Sequence, residues 1–158
     1  MSTHQFEPDT VTRALLMEHL AEMGGLSTLL SAAIAARAGI NPTDLESLDL
    51  LRRHGPMTAG RLAALTGLTT GAITGVIDRL ERRGYARREA DPTDRRRVVV
   101  HADVEIAKRE LGPHYANLAE AMNAIVEDYS DQELALILGA VQRFNDAVRA
   151  SVTGLRDS

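Results

Sequence analysis

The arginines of this sequence are concentrated in one segment, where their positive charges could bind a negatively charged partner. Eleven arginines and five acidic residues lie between Arg52 and His101, so this segment carries a net charge of +6, while the rest of the 158-residue chain carries −10. A basic segment within an acidic chain is typical of a nucleic-acid-binding module. The alternative is an arginine-rich solvated surface, and charge alone does not decide between the two.

The densest group of arginines, residues 95–97, follows a turn signal, Asp-Pro-Thr-Asp at 91–94. Runs that favour strands flank this turn at 85–89 and 97–101, and the arrangement predicts a β-hairpin. Arginines at a hairpin tip can enter a DNA minor groove, whose negative potential attracts cations. A solvated turn is the alternative.

Two helices predicted before the hairpin form a helix-turn-helix. The first spans 59–65 after a capping Thr58, and the second follows a capping Thr69 and ends at Gly84. A helix-turn-helix followed directly by a hairpin is the element order of a winged helix. Apolar residues at i, i+3, i+4 and i+7 give the second helix a face that must be buried, formed by Ile73, Val76, Ile77 and Leu80.

Longer helices are predicted on both sides of this unit. The first spans 10–38, with a kink or a break at Gly24-Gly25, and another spans 103–128 with a kink at Pro113. The last opens at Ser130-x-x-Glu133, a capping box. We therefore predict a mainly α fold with a small β-hairpin wing, in which a winged helix-turn-helix lies between N- and C-terminal helices that pack helix on helix.

Several function classes are disfavoured by what the sequence contains. With no cysteine, disulfides, thiolate catalysis and thiol-based redox sensing are excluded. Catalytic signatures and phosphate-binding glycine loops are not recognisable, so we expect neither an enzyme nor a bound cofactor. The five histidines lack metal-site spacing, although a metal site assembled from distant helices stays an alternative. Without an evident signal peptide or membrane span, we expect a soluble cytoplasmic protein.

The segment 41–101 resembles the MarR family of bacterial winged-helix transcription regulators. The resemblance rests on Gly67-Leu68-Thr69, on the run from Val76 to Tyr85, and above all on the wing motif Asp91-Pro92-Thr93-Asp94-Arg95-Arg96. It implies a homodimer whose N- and C-terminal helices interlace, with one winged-helix lobe on each side. It also implies a division into dimerisation helices at 1–40 and 103–158 and a DNA-binding lobe at 41–102.

The chain departs from the family pattern in two places. Val100-His101-Ala102 stands where Leu-Thr commonly follows the wing, so the start of the next helix is less certain. Gly71 and Gly75 stand where many relatives carry larger polar or basic side chains. Either these glycines let the helix backbone approach DNA closely, or they only weaken an exposed helix by about 1 kcal/mol each relative to Ala.

The predicted contacts to double-stranded DNA follow from these elements. By resemblance, Arg96 inserts into the minor groove and Asp94 holds it with a salt bridge. Arg61, Arg87 and Arg88 are candidates for phosphate contacts. The full set predicted for the second helix and the wing is Thr69, Thr70, Gly71, Thr74, Gly75, Arg79, Arg82, Asp94, Arg95, Arg96 and Arg97.

The predicted function is a DNA-binding transcription regulator, expected to repress, that binds a pseudo-palindromic duplex as a homodimer. The family resemblance further implies release by a small effector, often an aromatic acid or phenol, bound between the dimer helices and the DNA-binding lobe. His19, Met23 and His54 are placed at that pocket. The alternative is a winged-helix adapter that binds a protein partner without specific DNA binding. An adapter would not need the arginines at 95–97.

Overall fold

The elements predicted from sequence occur in the predicted order. This computed structural model describes residues 10–91, 93–94 and 96–156. In this part the chain forms α1 (Thr10–Ala38), α2 (Pro42–His54), α3 (Ala59–Thr66), α4 (Thr70–Arg82), β1 (Ala86–Ala90), β2 (Val98–Ala102), α5 (Val104–Glu127) and α6 (Asp131–Arg156).

Local capping determines where the helix-turn-helix begins and ends. The Thr58 side chain accepts the backbone N–H of Arg61 at 3.2 Å, and the Thr69 side chain accepts that of Ala72 at 3.3 Å. Between the two helices Gly67 has a φ of +73°, which a residue with a side chain adopts only at a cost. Both predicted caps are therefore confirmed.

The core lies in the winged-helix lobe and extends into its flanking helices. The apolar stripe of α4 is fully buried, as predicted, against Leu48 and Leu51 of α2. The end of α1 joins this core through Ile34 and Ala35, and α5 joins it through Leu111. The lobe therefore has no sharp boundary with α1 or α5, because all three share one packed interior.

The hairpin is antiparallel and lies one residue later than predicted. Ala86 pairs with Ala102, and Ala90 pairs with Val98. Tyr85 is excluded from β1 because its N–H donates to the carbonyl of Leu80 at 2.9 Å and completes the C-terminal turn of α4. Its ring is buried in the core instead of extending the strand.

The long helices run through both predicted weak points. α1 continues across Gly24-Gly25, and α5 continues across Pro113. The Ser130 capping box is confirmed: its N–H and hydroxyl both donate to the Glu133 carboxylate, at 2.8 and 2.6 Å. None of the α6 side chains that the structure describes is buried.

Within the described ranges, no helix taken alone combines the length and apolar character needed to cross a bilayer. Only α1 and α2 taken together satisfy these criteria, and the angle between their axes bends the pair by 103°.

Candidate nucleic-acid interface

The outer face of α4 consists of small and hydroxyl-bearing residues. Thr69, Thr70, Gly71 and Thr74 are exposed, because the apolar stripe of the helix turns the opposite face inward. No atom lies within 4 Å of the position that a Cβ on Gly71 would occupy. The Thr69 oxygen is occupied as the helix cap, but its hydroxyl hydrogen remains able to donate to a phosphate.

The wing turn is organised by aspartate side chains that accept backbone N–H groups. Oδ1 of Asp91 accepts the N–H of Thr93 at 2.8 Å and its hydroxyl at 2.7 Å. These hydrogen bonds from Thr93 hold the pKa of the Asp91 carboxyl below its usual value. The turn closes where the N–H of Asp91 donates to the carbonyl of Arg97 at 2.9 Å. The described residues of the wing turn are therefore held by hydrogen bonds within their own chain.

Asp94 holds the wing differently from the prediction. Its carboxylate accepts the backbone N–H of Arg96 at 3.1 Å, where the family resemblance implied a salt bridge to the guanidinium. The predicted salt bridge is thus replaced by a side chain–backbone hydrogen bond, because Asp94 lies within the turn. Among the described residues, no carboxylate pairs with the guanidinium of Arg96 or Arg97, and both residues are exposed. Arg95 lies outside the described residues.

Arg88 joins the wing to α4 through carboxylates. Its guanidinium donates to Asp78 at 2.7 Å and also to Glu81, whose other oxygen accepts the Arg88 backbone N–H at 2.8 Å. Arg87 is likewise paired, with Glu89 on the same strand. Carboxylates therefore bind both guanidinium groups that were predicted to contact phosphates, and those phosphate contacts stay a prediction.

Arg79 is also paired, and its partner is buried. Its Nε and Nη2 donate to the Asp44 carboxylate at distances of 2.6–3.2 Å. Asp44 is 2% exposed on α2, whereas the Arg79 side chain is 38% exposed. Hydrogen bonding to Asp44 raises the pKa of Arg79, so the guanidinium stays charged. This predicted DNA contact thus has a structural role through two of its nitrogens.

These pairings reduce the basic segment to a smaller set of available cations. Arg82 on α4 and Arg61 on α3 are exposed, and neither side chain has an ion-pair partner in the part of the chain that the structure describes. Together with Arg96 and Arg97, they are the arginines best able to neutralise phosphates.

Comparisons with known proteins agree with this winged-helix geometry. The family model described as "MarR family" matches residues 40–98. The HTH-type transcriptional regulator YcgE of Bacillus subtilis (strain 168) is 38% identical over 135 residues, which cover 85% of this chain and 87% of YcgE. The chain belongs to the MarR family. It is a transcriptional regulator with a winged helix-turn-helix DNA-binding fold, which confirms the prediction of a regulator rather than an enzyme.

Solved MarR-family structures share this fold. A MarR family protein from Bacillus stearothermophilus has a TM-score of 0.65 and is 20% identical, with 90% of this chain and 99% of that chain covered. A point mutant of MepR from S. aureus, solved bound to an oligodeoxyribonucleotide, has a TM-score of 0.54 and is 16% identical. That match covers 84% of this chain and 97% of MepR.

A cleft of about 1080 Å³ separates the long helices of this MarR-family chain from its DNA-binding lobe. Its walls come from α1, α2, the end of β2 and α5, so it lies where the resemblance implied an effector pocket. The residues predicted for the effector pocket lie elsewhere. His19, Met23 and His54 do not line the cleft and are all exposed, and His19 lies 3.2 Å from Glu22 on its own helix. The apolar part of the lining consists mainly of Leu30, Leu45, Leu48, Leu111 and Tyr115.

Charged residues at the cleft come mostly in pairs. Asp49 binds both Arg52, at 2.8 Å, and Arg53, at 2.6 Å. Lys108 of α5 also lines the cleft, and no described carboxylate pairs with it. No group of three or more His, Asp or Glu side chains in the described ranges is arranged to hold a metal ion.

Two residues that make contacts across the lobe were not found from sequence. Asp44 had a usable signal, since it precedes Leu48 by four residues and Leu51 by seven and so lies on the apolar stripe of α2. Arg83 had none, because its partners are the carbonyls of Ala38 and Gly39, at 3.0 and 2.5 Å. Only the tertiary fold brings the end of α1 to Arg83.

Proposed function

We propose that this chain is a homodimeric repressor that binds a pseudo-palindromic DNA duplex and is released by a small effector. The single observation that carries the DNA-binding part is the exposed face of α4 beside a wing whose Arg96 and Arg97 have no described ion-pair partner. Arg88 of β1 binds Asp78 of α4, and this contact supports the proposal that α4 and the wing bind DNA together. The MepR structure with an oligodeoxyribonucleotide supports the same use of this fold. Such a regulator acts on the chromosome, so we assign it to the cytoplasm.

Exposed apolar side chains on the long helices support the homodimer. Leu29 of α1 is 67% exposed, Ile125 of α5 is 53% exposed and Leu136 of α6 is 77% exposed. Burying a side chain of this size is worth about 1.5–3 kcal/mol, and extended apolar surface on a folded chain marks an interface. A second copy would cover these helices, and residues 1–40 and 103–158 would then form the dimerisation part around lobes at 41–102. The two lobes would meet half-sites about one helical turn apart.

The cleft supports release by an effector. Its walls belong both to helices of the proposed dimer interface and to α2, which packs on α4. A ligand that binds better to one arrangement of these walls shifts the lobes toward that arrangement, typically by about 1–3 kcal/mol. The apolar lining and the unpaired Lys108 suit a small aromatic molecule with a negative charge. Binding at a promoter would exclude polymerase, which gives repression as the outcome.

The deciding experiment is fluorescence anisotropy with labelled duplexes that tile the region upstream of the gene, at several salt concentrations. We expect one inverted repeat to bind tightly and Arg96→Ala to weaken that binding. If roughly 6–10 phosphates are neutralised, affinity will fall by about 10³–10⁵ between 50 and 200 mM salt. Uniformly weak binding that does not depend on Arg96 would contradict the proposal at these targets and would favour a protein-binding adapter.

A further inference from the structure

The ion pair between Arg79 and Asp44 leaves part of the guanidinium without a partner among the described residues. Asp44 occupies one edge of the guanidinium, which is formed by Nε and Nη2. An arginine carries five N–H donors in a planar fork, so three of them remain, two on Nη1 and one on Nη2. These include a second edge with two parallel N–H groups. Among the described residues, Nη1 has no hydrogen-bond partner.

The free edge lies beside the outer face of α4. Nη1 of Arg79 is 3.5 Å from the position that a Cβ on Gly75 would occupy. Gly75 is one helical turn before Arg79, next to Gly71 and Thr74 on the surface that faces DNA in the proposed function. A larger side chain at position 75 would compete with the arginine for this space. Gly75 therefore leaves the guanidinium room to lie along the helix.

We propose that Asp44 orients Arg79 so that the arginine reads a guanine in the major groove of each half-site. Two parallel N–H donors match the O6 and N7 acceptors of guanine, a pairing specific to that base in the major groove. The Asp44 carboxylate is almost fully buried, so its orientation is fixed by the surrounding protein. Its bidentate hydrogen bonds therefore fix the plane of the Arg79 guanidinium in the DNA-free protein. Asp44 is thus a positioning residue and Arg79 a specificity-determining residue. This inference rests on the proposed DNA binding.

The role also accounts for how α4 could read sequence with so few long side chains on its outer face. Thr70 and Thr74 can touch thymine methyl groups, but neither selects guanine as strongly as a paired donor edge does. The Thr74 hydroxyl already donates to the carbonyl of Thr70 at 2.8 Å. Arg79 then supplies the bidentate contact.

The test is selection from a pool of random duplexes, each about two helical turns long, with the wild-type protein and with Arg79→Lys. Lysine keeps the positive charge but lacks the two-donor edge. We expect the wild type to enrich a half-site with one fixed guanine, and the lysine variant to enrich the same half-site with that position degenerate. Asp44→Asn should weaken the same preference. Asp49→Asn, which removes a carboxylate of α2 that pairs with arginines away from α4, should keep it.

A second measurement does not depend on how well the variants fold. Duplexes in which each guanine of the selected half-site is replaced in turn by 7-deazaguanine, which lacks the N7 acceptor, are titrated with the wild-type protein. We expect one replacement per half-site to lower affinity about tenfold. The inference is overturned if no replacement lowers affinity, or if Arg79→Lys weakens all duplexes equally, as a phosphate contact would. Failure of the wild type to enrich any sequence would overturn the proposed function itself, and the inference with it.

Discussion

Eleven arginines lie between residues 52 and 101, and the guanidinium groups that the structure describes differ in what binds them. In one group, the arginine side chain is bound by a carboxylate or by a carbonyl at a helix end of the same chain. Such an arginine stabilises the lobe. In the other, exemplified by Arg96, the side chain is exposed and available to a phosphate. Because the pairing partner determines the role, substitutions in the two groups should affect different properties.

The first prediction compares Arg96→Ala with Arg88→Ala. Loss of Arg96 should weaken operator binding roughly tenfold and reduce the salt slope by about 1, with an unchanged melting temperature. Loss of Arg88 should cost about 1 kcal/mol of stability, because Asp78 and Glu81 then face each other without their cation. Anisotropy and thermal unfolding measure the two effects. Equal melting temperatures for both variants would contradict the assignment of Arg88 to the lobe.

The second prediction concerns Gly71, which has open space around its missing Cβ. Gly71→Ala should raise stability by about 1 kcal/mol, because alanine loses less backbone entropy in a helix than glycine does. If the helix backbone approaches DNA here, the same methyl group should lower operator affinity. Gly25→Ala in α1 is the matched control, since it too has open space and lies away from α4. Unchanged affinity for Gly71→Ala would show that this glycine only weakens the helix.

At the scale of elements, two polar contacts join the recognition unit to the long helices. Arg83, at the end of α4, donates to the carbonyls that end α1. Tyr85, just before β1, donates its hydroxyl to Glu110 of α5 at 2.9 Å. These contacts tie the segment between α4 and the wing directly to α1 and α5.

The third prediction uses the Tyr85–Glu110 contact. Hydrogen bonds, first from Tyr85 and then from Arg109, lower the pKa of Glu110. A carboxyl whose pKa is lower in the folded state stabilises the fold above its unfolded-state pKa, and this contribution is lost as pH falls through the folded-state pKa. Tyr85→Phe should therefore raise the pKa of Glu110 toward its ordinary value and lower the melting temperature near neutral pH, with a smaller difference in acid.

An NMR titration of the Glu110 carboxyl carbon measures this change. Tyr115→Phe is the control, because burial rather than a contact with Glu110 is the main cause of the raised pKa of Tyr115. A Glu110 titration that is the same in Tyr85→Phe and in the wild type would show that the hydroxyl does not hold this carboxylate.

At the scale of the whole molecule, the distribution of burial is uneven. The lobe has a packed core, whereas α1 contributes only Ile34 and Ala35 to it and α5 contributes only Leu111 as fully buried residues. Helices of 24–29 residues with so little buried surface lack enough tertiary packing of their own. A second copy would supply that packing.

The fourth prediction tests this directly with Ile125→Glu on α5. A charge at this position should split a dimer whose interface excludes water, since an unpaired carboxylate is costly to bury. Light scattering coupled to size exclusion should give twice the 17.1 kDa chain mass for the wild type and a lower mass for the variant. Val98→Glu is the control, because Val98 is an exposed apolar residue of the wing rather than of a long helix. A wild-type mass of one chain would contradict the dimer.

The sequence by itself determined the features that depend on neighbours within about one helical turn. These include the caps at Thr58 and Thr69, the buried stripe of α4, the capping box at Ser130 and the presence of a hairpin. The caps and the capping box depend on contacts between residues about three positions apart, and the stripe and the hairpin have local sequence patterns, so spacing alone predicts them. The wing motif also carried the family resemblance, which the comparisons confirm.

Only the tertiary structure decided which polar groups meet across the lobe. Asp44 and Arg79 are 35 residues apart and Arg83 is 45 residues from Ala38, so no local pattern links them. The lining of the cleft has the same origin, because its walls come from α1, α2, β2 and α5. Composition showed that this segment carries many positive charges, whereas the fold determined which guanidinium groups have internal partners and which do not, because pairing depends on distances that only packing sets.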